Sequence, residues 1–244
     1  MSTSASVRDY ESRTLEVADG FPRYTEWLMH DFMPYLRGRV VEVGAGLGSI
    51  SAQWVDQAKE AILIEPAENL AAQLGKRFSD KRNVKTFAGL LDEVKSRPEA
   101  KLAPGSVDTA IMVNVLEHIE DDVSVLKSIF ELLKPNGKML IFVPALQALY
   151  NALDKRVRHV RRYDKRALTS VMTRAGFDIE RMRYFDWLGM GPWIITGTIL
   201  RRETVGDGSG RFYDKFIIPI CKLADGPNGR VLGKNLIAIG TKGQ

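Results

Sequence analysis

The sequence predicts an α/β fold with a doubly wound, mostly parallel sheet of seven strands, and three observations carry that prediction. Short β-branched runs alternate with stretches of helical spacing, which is the pattern of βαβ units. The first run, Val40-Val41-Glu42-Val43, leads straight into Gly44-Ala45-Gly46-Leu47-Gly48, a turn stripped of most Cβ atoms. The second run, Ala61-Ile62-Leu63-Ile64, ends in an acid, Glu65. A buried strand feeding a glycine turn makes a cradle in which a nucleotide-like ligand lies against bare backbone.

Pro22 to about Met33 reads as a helix, with Tyr24, Trp27, Leu28 and Phe32 at helical spacings, and Pro34 ends or kinks it. Strands are expected at Val40–Val43, Ala61–Ile64, Val84–Phe87, Thr109–Val113 and Met139–Val143, and helices at Ser49–Gln57, Glu68–Phe78 and Asp121–Leu133. Lys134-Pro135-Asn136-Gly137 is a turn ahead of the fifth strand. A helix from Lys165 to Ala175 closes at Gly176, Phe177–Tyr184 forms the sixth strand, and Asn235–Thr241 the seventh. Between the last two strands, Phe185–Lys234 adds about 50 residues, longer than a plain loop. The expected division is an N-terminal arm at 1–21, a core at 22–184, an inserted acceptor or interface subdomain at 185–234, and a final core strand at 235–244.

Composition sets bounds. Of 244 residues 45% are apolar, enough for one large core, and the 27% charged content is ordinary for a globular chain. One cysteine, Cys221, requires no oxidising compartment, and Met1–Val7 lacks an apolar signal core, so the cytoplasm is expected, with the inner face of the membrane compatible. A net charge of +5 favours anionic surfaces but is too dispersed to diagnose nucleic acid, and no nucleic-acid partner is expected. A homodimer is left open.

The spacing of the glycine turn discriminates among ligands. The dinucleotide fingerprint places its third glycine where Ser49 stands, and Gly48 comes one place early. Glu42 at the strand end would repel a pyrophosphate and welcome an ammonium or sulfonium group. Glu65 stands where an acid takes ribose hydroxyls. A dehydrogenase is therefore disfavoured.

Glu42-Val43-Gly44-Ala45-Gly46-Leu47-Gly48, Ile64-Glu65-Pro66, Val107 to Ile119 with Asn114-Val115-Leu116-Glu117-His118, and Leu133-Lys134-Pro135-Asn136-Gly137, in that order, resemble the class I S-adenosylmethionine-dependent methyltransferases. The resemblance implies a Rossmann-like methyltransferase fold whose last two strands form an antiparallel hairpin, and S-adenosylmethionine as the cofactor. By the same resemblance, Gly44, Ala45, Gly46 and Gly48 with Glu42 hold the methionine part, Glu65 the ribose, and Asn114 the region of the methyl group. The family places an acid beside the adenine after the third strand, where this chain offers Leu90, with Asp92 two places later. Aromatic residues ahead of the first strand cover the cofactor in similar enzymes, which points to Tyr24 at its carboxylate end; helix packing is the plainer reading of Trp27.

Three histidines narrow the catalytic search. His30 reads as a surface or packing residue. His118 follows the fourth strand, where the resemblance puts the reacting centre. His159 lies in a polar, aromatic and cationic segment, Leu149–Tyr163, expected over the ligand-binding sheet edge. There Asp154 or His159 could take an acceptor proton, while Tyr150, Arg162 and Tyr163 could meet the acceptor, with Arg158 and Arg161 as further anion clamps. A solvated basic helix is the bland alternative. Glu117, Asp121 and Asp122 could join His118 around a divalent ion, but acids ahead of a helix more often cap it, and no metal site is assigned from the sequence. The phrase His159-Val160-Arg161-Arg162-Tyr163 resembles methyltransferases found with bacterial glycosyltransferases, which implies O-methylation of a saccharide or lipid-linked acceptor. The apolar stretches Trp187–Leu200 and Phe212–Ile220 read as a lid or dimer surface, or as a basic-rimmed dock for a lipid-linked acceptor or membrane surface. N- or C-methylation of a small metabolite, and a non-catalytic cofactor sensor or scaffold, are the alternatives.

Overall fold

The computed structural model describes residues 21–200, 213–228 and 231–244. The expected N-terminal arm lies outside the described residues except for Phe21. Seven strands, β1 (Arg39–Val43), β2 (Glu60–Glu65), β3 (Val84–Ala88), β4 (Val107–Val113), β5 (Leu133–Pro144), β6 (Phe177–Phe185) and β7 (Asn235–Lys242), form one sheet in the order β3-β2-β1-β4-β5-β7-β6. Strands β1 to β5 run parallel, and β7 inserts antiparallel between β5 and β6. The order reverses between β1 and β4, so the crevice at their carboxyl ends is the natural ligand site.

Around the sheet lie α1 (Pro22–Phe32), α2 (Glu68–Arg77), α3 (Leu91–Lys95), α4 (Asp122–Leu132), α5 (Ala152–Arg156), α6 (Lys165–Arg174), α7 (Met190–Trp193) and α8 (Ile218–Asn228). Alternate residues of β1 feed opposite cores. Val41 and Val43 pack with Leu126 and Ile129 of α4 and Met172 of α6, whereas Val40 packs with Leu28 and Phe32 of α1 and Leu74 of α2. Both faces of the sheet are therefore covered, and this is why its strands read as continuous apolar runs. Phe32, Trp54 and Phe142 are fully buried, and each such side chain contributes about 1.5–3 kcal/mol.

Two local expectations are corrected. Residues 49–57 do not form an α-helix; they make two 3₁₀ turns, Ser51–Gln53 and Val55–Gln57. The reason is a side-chain pull: Ser51 Oγ (2.7 Å) and Trp54 Nε1 (3.2 Å) both donate to Glu42 in β1, drawing the segment onto the sheet. The anticipated turn at residues 134–137 is present inside β5, where Val107 pairs with Leu133 but Thr109 with Lys138, and Asn136 takes φ +64°. The short helix α3 was not anticipated.

Between β6 and β7, helix α7 continues into a π-helical stretch, Ile194–Ile199, and a second π-helical stretch, Tyr213–Ile217, leads into α8. Long-range polar contacts pin this region. Helix α1 has no local side-chain cap, and Asp214 accepts from the backbone of Arg23 (3.2 Å) and Tyr24 (3.0 Å) instead. Arg183 of β6 bridges Asp31 of α1 and Asp225 of α8. No helix among the described residues is long and apolar enough to cross a membrane.

Gly48 has φ +81°, and a Cβ there would lie 2.5 Å from Phe78 Cε2 and 2.8 Å from Leu74 Cδ1. Backbone strain and overlap add, so Gly48→Ala is expected to destabilise the fold by about 2–4 kcal/mol, read from the denaturant midpoint of unfolding.

Candidate active site

The glycine turn is strapped to the neighbouring strand. Gly44 N (2.8 Å) and Ala45 N (3.0 Å) donate to the Ile64 carbonyl, and Gly46 N donates to Glu65 Oε2 at 2.8 Å. Gly44 takes φ +78°, and a Cβ there would strike Val115. A side-chain-free floor is thus obligatory, and it fits a ligand lying on bare backbone. Glu65 Oε1 accepts from Ala67 N at 2.9 Å. Each carboxylate oxygen keeps a further lone pair, so a ribose diol can still donate to Glu65.

Glu42 is placed differently from the expectation of an anion facing a cationic ligand. It is buried, and burial, opposed by the Ser51 and Trp54 hydrogen bonds, pushes its carboxyl up to about 8. At neutral pH it is largely protonated, and it organises the segment after the turn. Asn114 sits exposed just past β4 with φ +54°, a conformation that asparagine tolerates better than most residues, and its backbone N–H donates to the Phe142 carbonyl at 2.9 Å. Leu90 is 50% exposed at the head of α3, an apolar surface suited to a base, whereas Asp92 turns away to accept from Ser128 Oγ at 2.8 Å. Tyr24 packs edge-on against Phe142 and Phe185, and its hydroxyl accepts from Asn235 Nδ2 at 2.6 Å. These contacts put it over the β5 and β7 side of the edge.

The segment after β5 carries a compact polar centre built on Asp154. Asn151 caps α5, and its backbone N–H donates to Asp154 Oδ2 at 3.0 Å. Asp154 Oδ1 meets His159 Nδ1 at 2.7 Å and Arg162 Nε at 2.9 Å. Burial alone would raise Asp154, but the His159 hydrogen bond and the Arg162 charge outweigh it and hold the carboxyl below its ordinary range. An ionised carboxylate only accepts, so in the neutral imidazole Nδ1 carries the proton and Nε2 the lone pair. The His118 ring meets the His159 ring edge-on at 4.8 Å. Burial, then the neighbouring His159, lowers His118 to about 4 against the Arg158 backbone bond, so it is neutral at physiological pH.

Two acceptor expectations are corrected. Arg162 is 5% exposed, donates to Asp154 and to the Ala145 carbonyl (3.0 Å), and stacks on Trp193 at 4.7 Å. It braces the centre instead of clamping an acceptor. Tyr163 is 1% exposed and donates to Asp122 Oδ2 at 2.8 Å, with burial, then that hydrogen bond, raising its phenol. Arg161 also binds Asp122, at 2.7 Å. Tyr150 remains half-buried, with its hydroxyl donating to the His159 carbonyl at 2.8 Å.

Sequence reasoning missed the depth of Glu117, which is fully buried although the exposed acids Glu120 and Asp121 follow it closely. Its place after a buried strand end, beside Leu116, was the available signal. The roof from the inserted region was missed as well: Trp193 Nε1 donates to the Leu149 carbonyl at 3.1 Å, and Asn151 Nδ2 reaches Thr198 Oγ1 at 3.4 Å.

Comparison with known proteins gives a consistent picture. Residues 18–181 match a family model described as a methyltransferase domain. An uncharacterised methyltransferase of Schizosaccharomyces pombe is 29% identical over 136 residues, 55% of this chain and 49% of that protein. A Mycolicibacterium smegmatis protein named for S-adenosylmethionine-dependent methyl transfer is 27% identical over 143 residues, 58% and 52% of the respective chains. The chain thus spans about half the length of the curated relatives it matches. Among solved structures, a Galdieria sulphuraria protein assigned as a sarcosine dimethylglycine methyltransferase superposes with a TM-score of 0.61 at 15% identity, over 91% of this chain and 86% of that one. At that identity the likeness speaks for the fold alone.

A carboxyl raised above its unfolded pKa stabilises the fold below the unfolded value and loses that contribution as pH climbs through the folded one. For Glu42 the window runs from the ordinary 4.5 up through about 8. The melting temperature is expected to fall across that window. Glu42→Gln, which keeps an acceptor for Ser51 and Trp54, is expected to flatten part of the fall in thermal unfolding followed against pH.

Proposed function

The chain belongs to the methyltransferase domain family, and from that premise we propose that its S-adenosylmethionine-dependent reaction methylates an oxygen of a saccharide or lipid-linked acceptor. The donor, when bound, supplies an electrophilic methyl group. Gly44, Ala45 and Gly46 form the floor for its methionine part, Gly48 lets the turn pack against α2, Glu65 takes the ribose hydroxyls, Leu90 underlies the base, and Asn114 flanks the reacting end. Holding nucleophile and carbon in line is the chief contribution, worth up to about 7–11 kcal/mol.

The observation that carries the oxygen assignment is the 2.7 Å contact of Asp154 with His159 Nδ1 in the segment leaving the carboxyl end of β5. An acceptor hydroxyl gives its proton to His159 Nε2, while Asp154 fixes the ring and balances the imidazolium charge. Nitrogen or carbon acceptors would make less use of such a pair. A lipid-linked acceptor is favoured by the inserted region, where Ile199 is 67% and Leu223 84% exposed, with Ile195, Phe216 and Ile220 half exposed beside the exposed Lys215 and Lys222. An apolar surface with basic neighbours suits the interface of an anionic membrane.

Calorimetric titration with S-adenosylmethionine and a labelled-methyl assay over free and polyprenyl-linked sugars test this reading. Gly46→Arg is expected to abolish donor binding. His159→Ala is expected to keep donor binding and to lose about 10²–10⁴-fold in turnover. Full activity of His159→Ala on the true acceptor would remove the imidazole from the mechanism.

A further inference from the structure

Glu117 is 0% exposed, and neither Oε1 nor Oε2 has a hydrogen-bond partner. Buried carboxyl oxygens are costly to leave unsatisfied, and a native fold retains one where something absent from the protein itself completes it. The surroundings of this one are specific. Oε1 lies 3.6 Å from His159 Nε2, too far for a hydrogen bond, and His118 completes a cluster whose possible donor atoms all lie within 4.8 Å of one another.

We infer that Glu117, His118 and His159 form a binding site for a divalent transition-metal ion of the zinc class. The spacing is near what such an ion requires. Bonds of about 2.0–2.2 Å in a tetrahedral arrangement place ligand atoms about 3.3–3.5 Å apart, so the Glu117 and His159 atoms are nearly in place and His118 needs a modest side-chain turn. Two imidazoles and a carboxylate are a ligand set that zinc and non-haem iron accept, and one that magnesium, which prefers oxygen, does not favour.

The outer shell is already built. Asp154 accepts from Nδ1 of His159, which aims the lone pair of Nε2 into the cluster, and this is the carboxylate–histidine arrangement that orients metal-bound imidazoles. Arg162 and the Asn151 backbone N–H hold Asp154 in turn. Three protein ligands leave at least one position open, and an acceptor hydroxyl bound there would have its pKa lowered. That consequence rests on the oxygen-methylation reading, in which the ion would take over from His159 the activation of the hydroxyl, because a bound Nε2 has no lone pair left for the proton, which would pass to solvent instead; the site itself does not rest on that reading.

The test is calorimetric titration of untagged, chelator-treated protein with zinc chloride, followed by cobalt(II) chloride read through its visible d–d bands. The background is low, because the chain has only three histidines and one cysteine. One zinc per chain is expected, with tetrahedral-type cobalt bands and far weaker magnesium binding. Glu117→Gln and His118→Ala should each weaken zinc binding at least about 100-fold, and Asp154→Asn, acting through His159, about 10–100-fold. Donor titration and thermal melts of each variant report folding independently. No zinc binding by wild type, or binding unchanged in folded Glu117→Gln and His118→Ala, overturns the site. Donor binding and methyl transfer in the chelated protein would still uphold the proposed reaction, so the two readings fail separately.

Discussion

The buried carboxylate of Asp154 is the interaction on which the acceptor side of the molecule depends. It draws together a helix cap at Asn151, an imidazole at His159 and a guanidinium at Arg162, all on a segment with little regular structure of its own. Burying an unpaired charge of either sign costs several kcal/mol, so neither Asp154 nor Arg162 is stable there without the other. Their pairing fixes where the chain runs after β5, and hence where His159 stands. The stack of Arg162 on Trp193 carries that constraint outward to the inserted region, whose α7 roofs the same segment. The acceptor-side geometry is thus a consequence of one ion pair and its neighbours.

The cofactor side rests on a different arrangement with the same logic. Glu42 and Glu65 end adjacent strands; Glu65 binds the glycine turn, and Glu42 binds the 3₁₀ segment beyond it. Burial raises the Glu65 carboxyl too, but its two backbone donors oppose that rise, and it retains capacity for hydroxyls. Glu42 has only neutral side-chain donors and full burial, so its charged form is disfavoured. Similar acids one strand apart are therefore held differently, Glu65 by backbone amides of the glycine turn and its flank, Glu42 by two side chains of the following loop.

This explains what was legible in the sequence. The strands were, because burial on both faces writes itself as β-branched runs, and the glycine turn was, because only missing Cβ atoms fit at Gly44 and Gly48. The helix expected after β1 was not realised, because its outcome turned on two side chains donating to Glu42 across the sheet face. Arg162 and Tyr163 read as acceptor contacts in a basic stretch, and both are buried by partners at Asp154 and Asp122 that spacing does not reveal. The cap of α1 comes from Asp214, some 190 positions away, and no local pattern announces it.

Polar residues of the site were thus identified by type, while their roles were set by which of them found partners. Asp122 takes Arg161 and Tyr163, Asp154 takes Arg162 and His159, and each of these groups is satisfied within the protein. Glu117 lies among them and has no such hydrogen-bond partner, because Arg162, whose charge it feels, is held by Asp154 and the Ala145 carbonyl. The same network that satisfies its neighbours therefore isolates this carboxyl and leaves it beside two imidazoles. Among the described residues, Arg39 Nε, Ser106 Oγ and Asp186 Oδ2 also lack hydrogen bonds, but Arg39 and Asp186 stand in ion pairs and Ser106 has no metal-binding neighbours, so Glu117 is the group left over whose surroundings indicate what else the site is built to hold.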